Sequence, residues 1–211
     1  MTKSLRARFD IINHLIETYN YQSYLEIGVE DGDNLRQINS QCLIQHGVDP
    51  ASQHANFKIT SDQFFRIIKD EIKYDLIFID GLHVEDQVER DIENALNHLE
   101  PNGTIVVHDC NPPSEWHQRS YEEAQKNGCR LWNGTVWRAF VKFRANRKDL
   151  EMSVVNLDWG CGIIRRGKQE TIELPKDRTF TYSDLEKNRQ EWLNLISGDD
   201  FLKMHCNNKK Y

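Results

Sequence analysis

The order of apolar and polar positions changes period several times along the chain. Leu5, Phe9, Ile12, Leu15 and Ile16 recur at helical spacing, which predicts an amphipathic helix over residues 4–19. From Ser23 the pattern changes, and Ser23-Tyr24-Leu25-Glu26-Ile27-Gly28 reads as a strand running into a glycine turn. Residues 34–44 read as a second helix, residues 43–48 as a second strand stopped by Pro50, and Lys58-Ile59-Thr60 as a third strand. Ser61-Asp62 are expected to cap a helix over 63–71. Tyr74-Asp75-Leu76-Ile77-Phe78-Ile79-Asp80 is continuously apolar rather than alternating, as in a strand covered by helices on both faces. A helix over 84–99 follows, with Val88, Ile92, Ala95, Leu96 and Leu99 on one face. Pro101-Asn102-Gly103 then turns into a buried strand over 104–109.

Strand and helix alternate from 23 to 109, the pattern of an α/β, doubly wound, mostly parallel sheet. Beyond it, residues 110–134 read as a long, partly helical, polar and aromatic connection around Pro112-Pro113, and 134–145 can be read as a helix or a strand, with helix favoured. Residues 151–157 and 162–166 are β-like and flank Asp158-Trp159-Gly160-Cys161, which predicts a closing antiparallel hairpin. Residues 183–196 read as a helix, and 207–211 as a frayed end. With no repeat or linker, 1–211 is expected to be a single domain: an N-terminal helix (1–20), a regular half (21–110) and closing elements (111–211).

Composition removes several classes of function. At 211 residues, 38% hydrophobic and with 21 aromatic side chains, the chain can bury a core. A net charge of −6 gives no overall basic field for nucleic acid, and no apolar run suits a membrane span. The N-terminus carries no leader-like apolar stretch. Five scattered cysteines without a CxxC pair fit reduced thiols, so a cytoplasmic protein is expected, with a homodimer left open.

In an open parallel sheet, ligands collect beyond the carboxyl ends of the strands. The first strand ends in Glu26-Ile27-Gly28-Val29-Glu30-Asp31-Gly32, where Gly28 and Gly32 allow a tight turn and close approach of a ligand. Asp49 ends the second strand, 21 residues beyond Gly28, where an acid can accept from both ribose hydroxyls. The turn is not GxGxxG, and an acid ahead of it repels a pyrophosphate. Glu26 suits an ammonium group instead, so the set fits a nucleoside with a charged amino-acid tail.

These residues resemble the class I S-adenosylmethionine-dependent methyltransferases, whose first motif is ExGxxxG and whose second strand ends in an acid. Gly47-Val48-Asp49-Pro50, Thr60-Ser61-Asp62-Gln63-Phe64-Phe65, Ile79-Asp80-Gly81-Leu82-His83 and Val107-His108-Asp109-Cys110 resemble a small methyltransferase-like branch often found near sugar and glycan genes. The resemblance, over about residues 20–165, implies a Rossmann-like methyltransferase fold of seven strands, with 21–110 as the cofactor-binding half. It implies S-adenosylmethionine contacts by Glu26, Gly28, Asn34, Asp49, Ser61, Asp62 and Asp80, with Gly32 completing the turn. The adenine is expected beside Ser61-Asp62, its amine donating to Asp62 and its ring walled by Phe64 or Phe65.

Asp80, His83, His108 and Asp109 end the two most clearly marked strands. Two chemistries fit. Asp80 and Asp109 could hold a divalent cation such as Mg²⁺ that activates an acceptor hydroxyl, as related O-methyltransferases do at these strand ends. Those enzymes usually follow the last acid with another Asp or Asn, whereas Cys110 stands here. Alternatively His83 or His108 removes the hydroxyl proton directly. Strand alternation sends His108 and Asp109 to opposite faces, and Asp109 is taken to face the site.

Trp132, Trp137, Trp159, Phe140 and Phe143 lie in the closing region, most of them expected in the core, and Trp116 in the polar loop is an acceptor-side candidate. Arg144, Arg147, Lys148, Arg165 and Arg166 are read as solvated surface. The function expected is methyl transfer to an oxygen of a small acceptor, such as a sugar, nucleotide-sugar or glycan precursor. The alternatives are an NAD-dependent sugar-modifying enzyme, disfavoured by the missing GxGxxG and Tyr-x-x-x-Lys, and a non-catalytic cofactor-binding partner protein.

Overall fold

The computed structural model describes residues 4–126, 131–175 and 179–206; the tail 207–211 lies outside them. Seven strands form one sheet: β1 (Ser23–Ile27), β2 (Ile44–Val48), β3 (Tyr74–Ile79), β4 (Leu99–Val107), β5 (Leu150–Val155), β6 (Cys161–Arg166) and β7 (Leu195–Ile196). Their order is β2-β1-β3-β4-β6-β5-β7. The first four are mutually parallel; β6 runs antiparallel between β4 and β5, and β7 pairs parallel with β5. The helices are α1 (Arg8–Tyr19), α2 (Ser61–Ile67), α3 (Glu85–Asn97), α4 (Tyr121–Lys126), α5 (Val136–Asn146), α6 (Tyr182–Trp192) and α7 (Gly198–Met204).

Strand periodicity sorts the core into two layers. Leu25, Ile27, Ile77, Ile79, Ile105, Val107 and Ile164 point to one face, where α2, α3, α5 and α6 bring Phe64, Ile92, Trp137, Phe140 and Leu185. Tyr24, Leu76, Phe78, Val106 and Ile163 point to the other, against Ile11, Ile12, Leu15 and Ile16 of α1 and Phe201 of α7. Both faces are dry, which is why β3 reads as an unbroken apolar run. Trp137, Phe140 and Phe143 are core, as expected.

Several elements depart from the sequence reading. Helix α1 begins at Arg8 rather than residue 4 because the Asp10 carboxylate accepts from the backbone of Arg6 and Ala7, stopping the helix there. The helix expected over 34–44 is reduced to one 3₁₀ turn at Leu35–Gln37. Asn13 of α1 takes its place, donating to Gln37 O and accepting from Asn39 N at 2.8 and 2.7 Å. The third strand at 58–60 does not form: only Phe57 bridges to Val48, after which Thr60 turns out of the plane. Thr60, not Ser61 or Asp62, caps α2 by accepting from Gln63 N. The helix expected over 183–196 stops at Trp192, and β7 supplies the seventh strand at the opposite edge. Helix α7 went unforeseen.

Candidate active site

The strand order reverses beside β1, and a cavity of about 960 Å³ opens there at the carboxyl ends of β1, β2, β3 and β4. Gly28 (φ +87°) makes the turn possible: a Cβ there would lie 2.1 Å from Asp80 O, so the backbone after β1 and the end of β3 can meet only at a glycine. Asp80 N donates to Ile27 O and Gly28 N to Val48 O, knitting the three strand ends together.

At one end of the cavity Glu26 lies buried. Its Oε2 accepts from Tyr24 Oη and from Asn34 Nδ2 (2.7 Å). Burial raises its pKa to about 7, against the lowering effect of those two donors. Asn34 also lines the cavity, and its buried Oδ1 has no hydrogen-bond partner among the described residues. An orphaned buried acceptor beside a carboxylate is the environment an ammonium group would satisfy.

The end of the cavity at Asp49 is finished differently. Asp49 Oδ2 accepts from Val29 N and Glu30 N, and Oδ1 from Ala51 N and Ser52 N, all within 3.0 Å. Burial works against ionisation, but the four donors hold its pKa below the usual carboxylate range. Ser61 lines the cavity. Asp62 does not: its Oδ1 accepts from Gln87 Nε2 and Arg90 Nε on α3. Phe64 is buried against Phe57, and Phe65 packs on His98, so neither walls the cavity. Gly32 (φ +78°) makes its turn behind the cavity wall, against His54.

The strand ends of β3 and β4 bring the expected group together, with a member the sequence reading had placed elsewhere. His83 Nε2 lies 3.2 Å from Asp80 Oδ1, and His83 Nδ1 lies 3.2 Å from Asp109 Oδ2. His83 Nδ1 also donates to Trp132 O at 3.1 Å, which leaves Nε2 as the nitrogen toward Asp80. His108 joins the cluster, its Nδ1 3.2 Å from Asp80 Oδ1 and 3.4 Å from Asp109 Oδ2. Alternation fails because β4 ends at Val107 and Asp109 is left-handed (φ +64°), which turns its side chain back to the same rim.

Burial would suppress the charge on His83 and His108, but Asp80 and Asp109 outweigh it and raise both pKa values. Asp80 is correspondingly held far below the usual range, burial notwithstanding, chiefly by His108. Ligand atoms of Asp80, His83 and Asp109 all lie within 4.8 Å of one another, so the three could hold a divalent cation.

Other members of the site are invisible to sequence spacing. Arg8, in the first turn of α1, donates from Nη1 to Asp80 Oδ2 (3.3 Å) and sits 2.9 Å from the His108 ring nitrogens. Asp158, in the β5–β6 turn, accepts from Arg8 N at 2.9 Å. Asp158, Trp159 and Gly160 all have positive φ (47°, 65° and 91°), strain of a kind found where a turn must aim side chains. Asn133, fully buried, donates to Asp109 Oδ1 at 2.8 Å. Gly134 packs so closely on His83 that a Cβ would lie 2.0 Å from His83 O. Trp132, stacked on His83, and Trp159 line the cavity, whereas Trp116 lies outside it under the Arg119 guanidinium.

Residues 15–110 match the family model of a methyltransferase domain. The fold is shared with solved structures of low identity. A Staphylococcus aureus protein described as a caffeoyl-CoA O-methyltransferase is 18% identical, with 78% of this chain and 86% of that one covered and a TM-score of 0.56. An SAH-bound methyltransferase from Podospora anserina is 14% identical, covering 78% and 80%, with a TM-score of 0.55. The O-methyltransferase from Bacillus cereus, in complex with SAH, is 15% identical, covering 78% and 82%, with a TM-score of 0.51. No curated protein sequence matches. Residues 15–110 are thus similar to a methyltransferase domain, and the chain shares the fold of these methyltransferase structures. Arg8, Trp132, Asn133 and Asp158 all lie outside the matched segment. Among the described residues, no helix is long and apolar enough to cross a membrane.

Proposed function

We propose that the cavity binds S-adenosylmethionine and directs its methyl group to a hydroxyl oxygen of a small acceptor, a sugar or glycan precursor. One observation carries the reading. The Glu26–Asn34 acceptor pair, with its orphaned oxygen, shares a cavity with the Asp80–His83–Asp109 cluster. Glu26 and Asn34 would take the ammonium of the amino-acid tail, Asp49 and the turn at Gly28 the ribose, and Ser61 the adenine side. When bound, S-adenosylmethionine supplies an electrophilic methyl group on a sulfonium. His83 Nε2 takes the acceptor proton, with Nδ1–H held by Trp132 O and the resulting imidazolium stabilised by Asp80 and Asp109. Trp132 and Trp159 give a sugar ring apolar faces to lie against.

A second reading rests on the compactness of the same three side chains. Asp80, His83 and Asp109 would hold a divalent cation that acts as a Lewis acid on the acceptor hydroxyl. The imidazole in that donor set suits Mn²⁺ or a softer ion better than Mg²⁺. In either reading the lining presents, among the described residues, seven carboxylates, one arginine and no lysine, which gives a pyrophosphate little to bind. That charge pattern favours S-adenosylmethionine over NAD, and a free sugar over a nucleotide-linked one.

Calorimetry of the purified protein with S-adenosylmethionine and with NAD, followed by mass spectrometry of a sugar panel incubated with S-adenosylmethionine, tests the proposal. Binding of S-adenosylmethionine and a gain of one methyl on a hydroxyl are expected. Binding of NAD without S-adenosylmethionine would overturn it.

A further inference from the structure

The tail of S-adenosylmethionine is a zwitterion, and the proposed site so far accounts for only one of its charges. If Glu26 and Asn34 take the ammonium, the carboxylate on the same carbon enters a cavity lined by seven other carboxylates. Without a cation it would be repelled. Among the described residues, Arg8 is the one Arg or Lys in the lining. It approaches from the face of the sheet that Tyr24 shares with α1, and its charge favours the ionised form of Glu26. The fold fixes it there: Asp158 accepts from its backbone N–H, and Asp10 holds Arg6 and Ala7 just ahead of it. Its guanidinium is not used up. Nη1 serves Asp80 and Nε faces Asp158 at 3.8 Å, while Nη2 has no hydrogen-bond partner among the described residues and a third of the side chain remains exposed.

We infer that Arg8 binds the carboxylate of the S-adenosylmethionine tail, closing the amino-acid end of the cavity from outside the segment that matches the family model. The inference rests on the proposed S-adenosylmethionine site. A guanidinium suits the task because its planar fork can hold Asp80 with one nitrogen and a ligand carboxylate with another. It also explains why the N-terminal helix is tied by its first turn to the β5–β6 turn: the tie sets the reach of Arg8.

The test compares S-adenosylmethionine with decarboxylated S-adenosylmethionine, which keeps the ammonium, sulfonium and nucleoside. Calorimetry at 0.5 M salt, roughly where attraction through solvent is screened to within several ångströms, isolates direct contact. The wild-type protein should prefer the carboxylated ligand. Arg8→Ala should weaken S-adenosylmethionine by about 10–100-fold, the value of a charge-assisted contact, and change the decarboxylated ligand by no more than about twofold. Arg8→Lys should recover part of the preference. Thermal melts report folding, and Arg8→Gln replaces the alanine variant if that one melts at room temperature. Equal affinity of the wild type for both ligands, or equal losses in the variants, would overturn the assignment of Arg8 while leaving the cavity as the cofactor site. Failure of the wild type to bind either ligand would instead overturn the proposed function and this assignment with it.

Discussion

At the end of the cavity where Asp49 sits, Asp49 already accepts from four backbone N–H groups, and Gln87 Nε2 donates to both Ser61 and Asp62. At the other end Asn34 keeps a buried acceptor without a partner among the described residues, burial raises the Glu26 pKa to about 7, and two carboxylates crowd around two histidines and an arginine. The first end is satisfied by the protein itself and offers mainly a shape. The second concentrates unbalanced charge, which costs stability and is retained where chemistry needs it. Substitutions at the second end should therefore cost function heavily, and those at the first should act mainly through the fold.

The largest effect is expected for the acid pair. Asp80→Asn with Asp109→Asn should lower methyl transfer by more than about 10³-fold, read by mass spectrometry of the methylated acceptor, because both the histidine partners and any cation site are lost. An active double variant would move the chemistry elsewhere. Next, His83→Gln should cost about 10²–10⁴ in kcat if His83 is the base, with EDTA without effect. If a cation activates the hydroxyl, EDTA should abolish turnover and Mn²⁺ should restore it.

Glu26→Gln separates binding from stability. In the unfolded chain Glu26 titrates near its ordinary 4.5, in the folded protein near 7, so folding stability falls as pH rises from about 4.5 to 7 and stays reduced above. The glutamine variant should accordingly be more stable than wild type at pH 8, by up to about 3 kcal/mol in urea unfolding, and equal to it at pH 4. Its affinity for S-adenosylmethionine should fall about tenfold or more. A variant less stable than wild type at pH 8 would refute the burial cost assigned to this end. The smallest effect is expected for Asp62→Ala. Because Asp62 faces Gln87 and Arg90 rather than the cavity, cofactor affinity should stay within about twofold. A larger loss would show that this side chain reads the adenine after all.

Two other substitutions at Gly28 and Gly134 would say little about ligands, because a Cβ at either position meets backbone at 2.1 and 2.0 Å. Gly28→Val would test the strand crossing rather than cofactor binding.

Local chemistry in the sequence was enough to mark the doubly wound half, the closing hairpin and the strand ends that gather Glu26, Gly28, Asp49, Asp80, His83 and Asp109. A buried strand must be apolar throughout, a turn over a neighbouring strand end must be glycine, and both constraints are written within a few residues. Tertiary structure decided what depends on partners distant in the chain. Asn13 of α1 takes backbone groups that a helix over 34–44 would have used. A single left-handed residue, Asp109, cancels the alternation that would have hidden His108. Arg8, Asn133 and Asp158 reach the site from segments with no motif of their own. No local pattern carries their roles, because a hydrogen bond between residues 8 and 158 depends on the packing of α1 against the finished sheet.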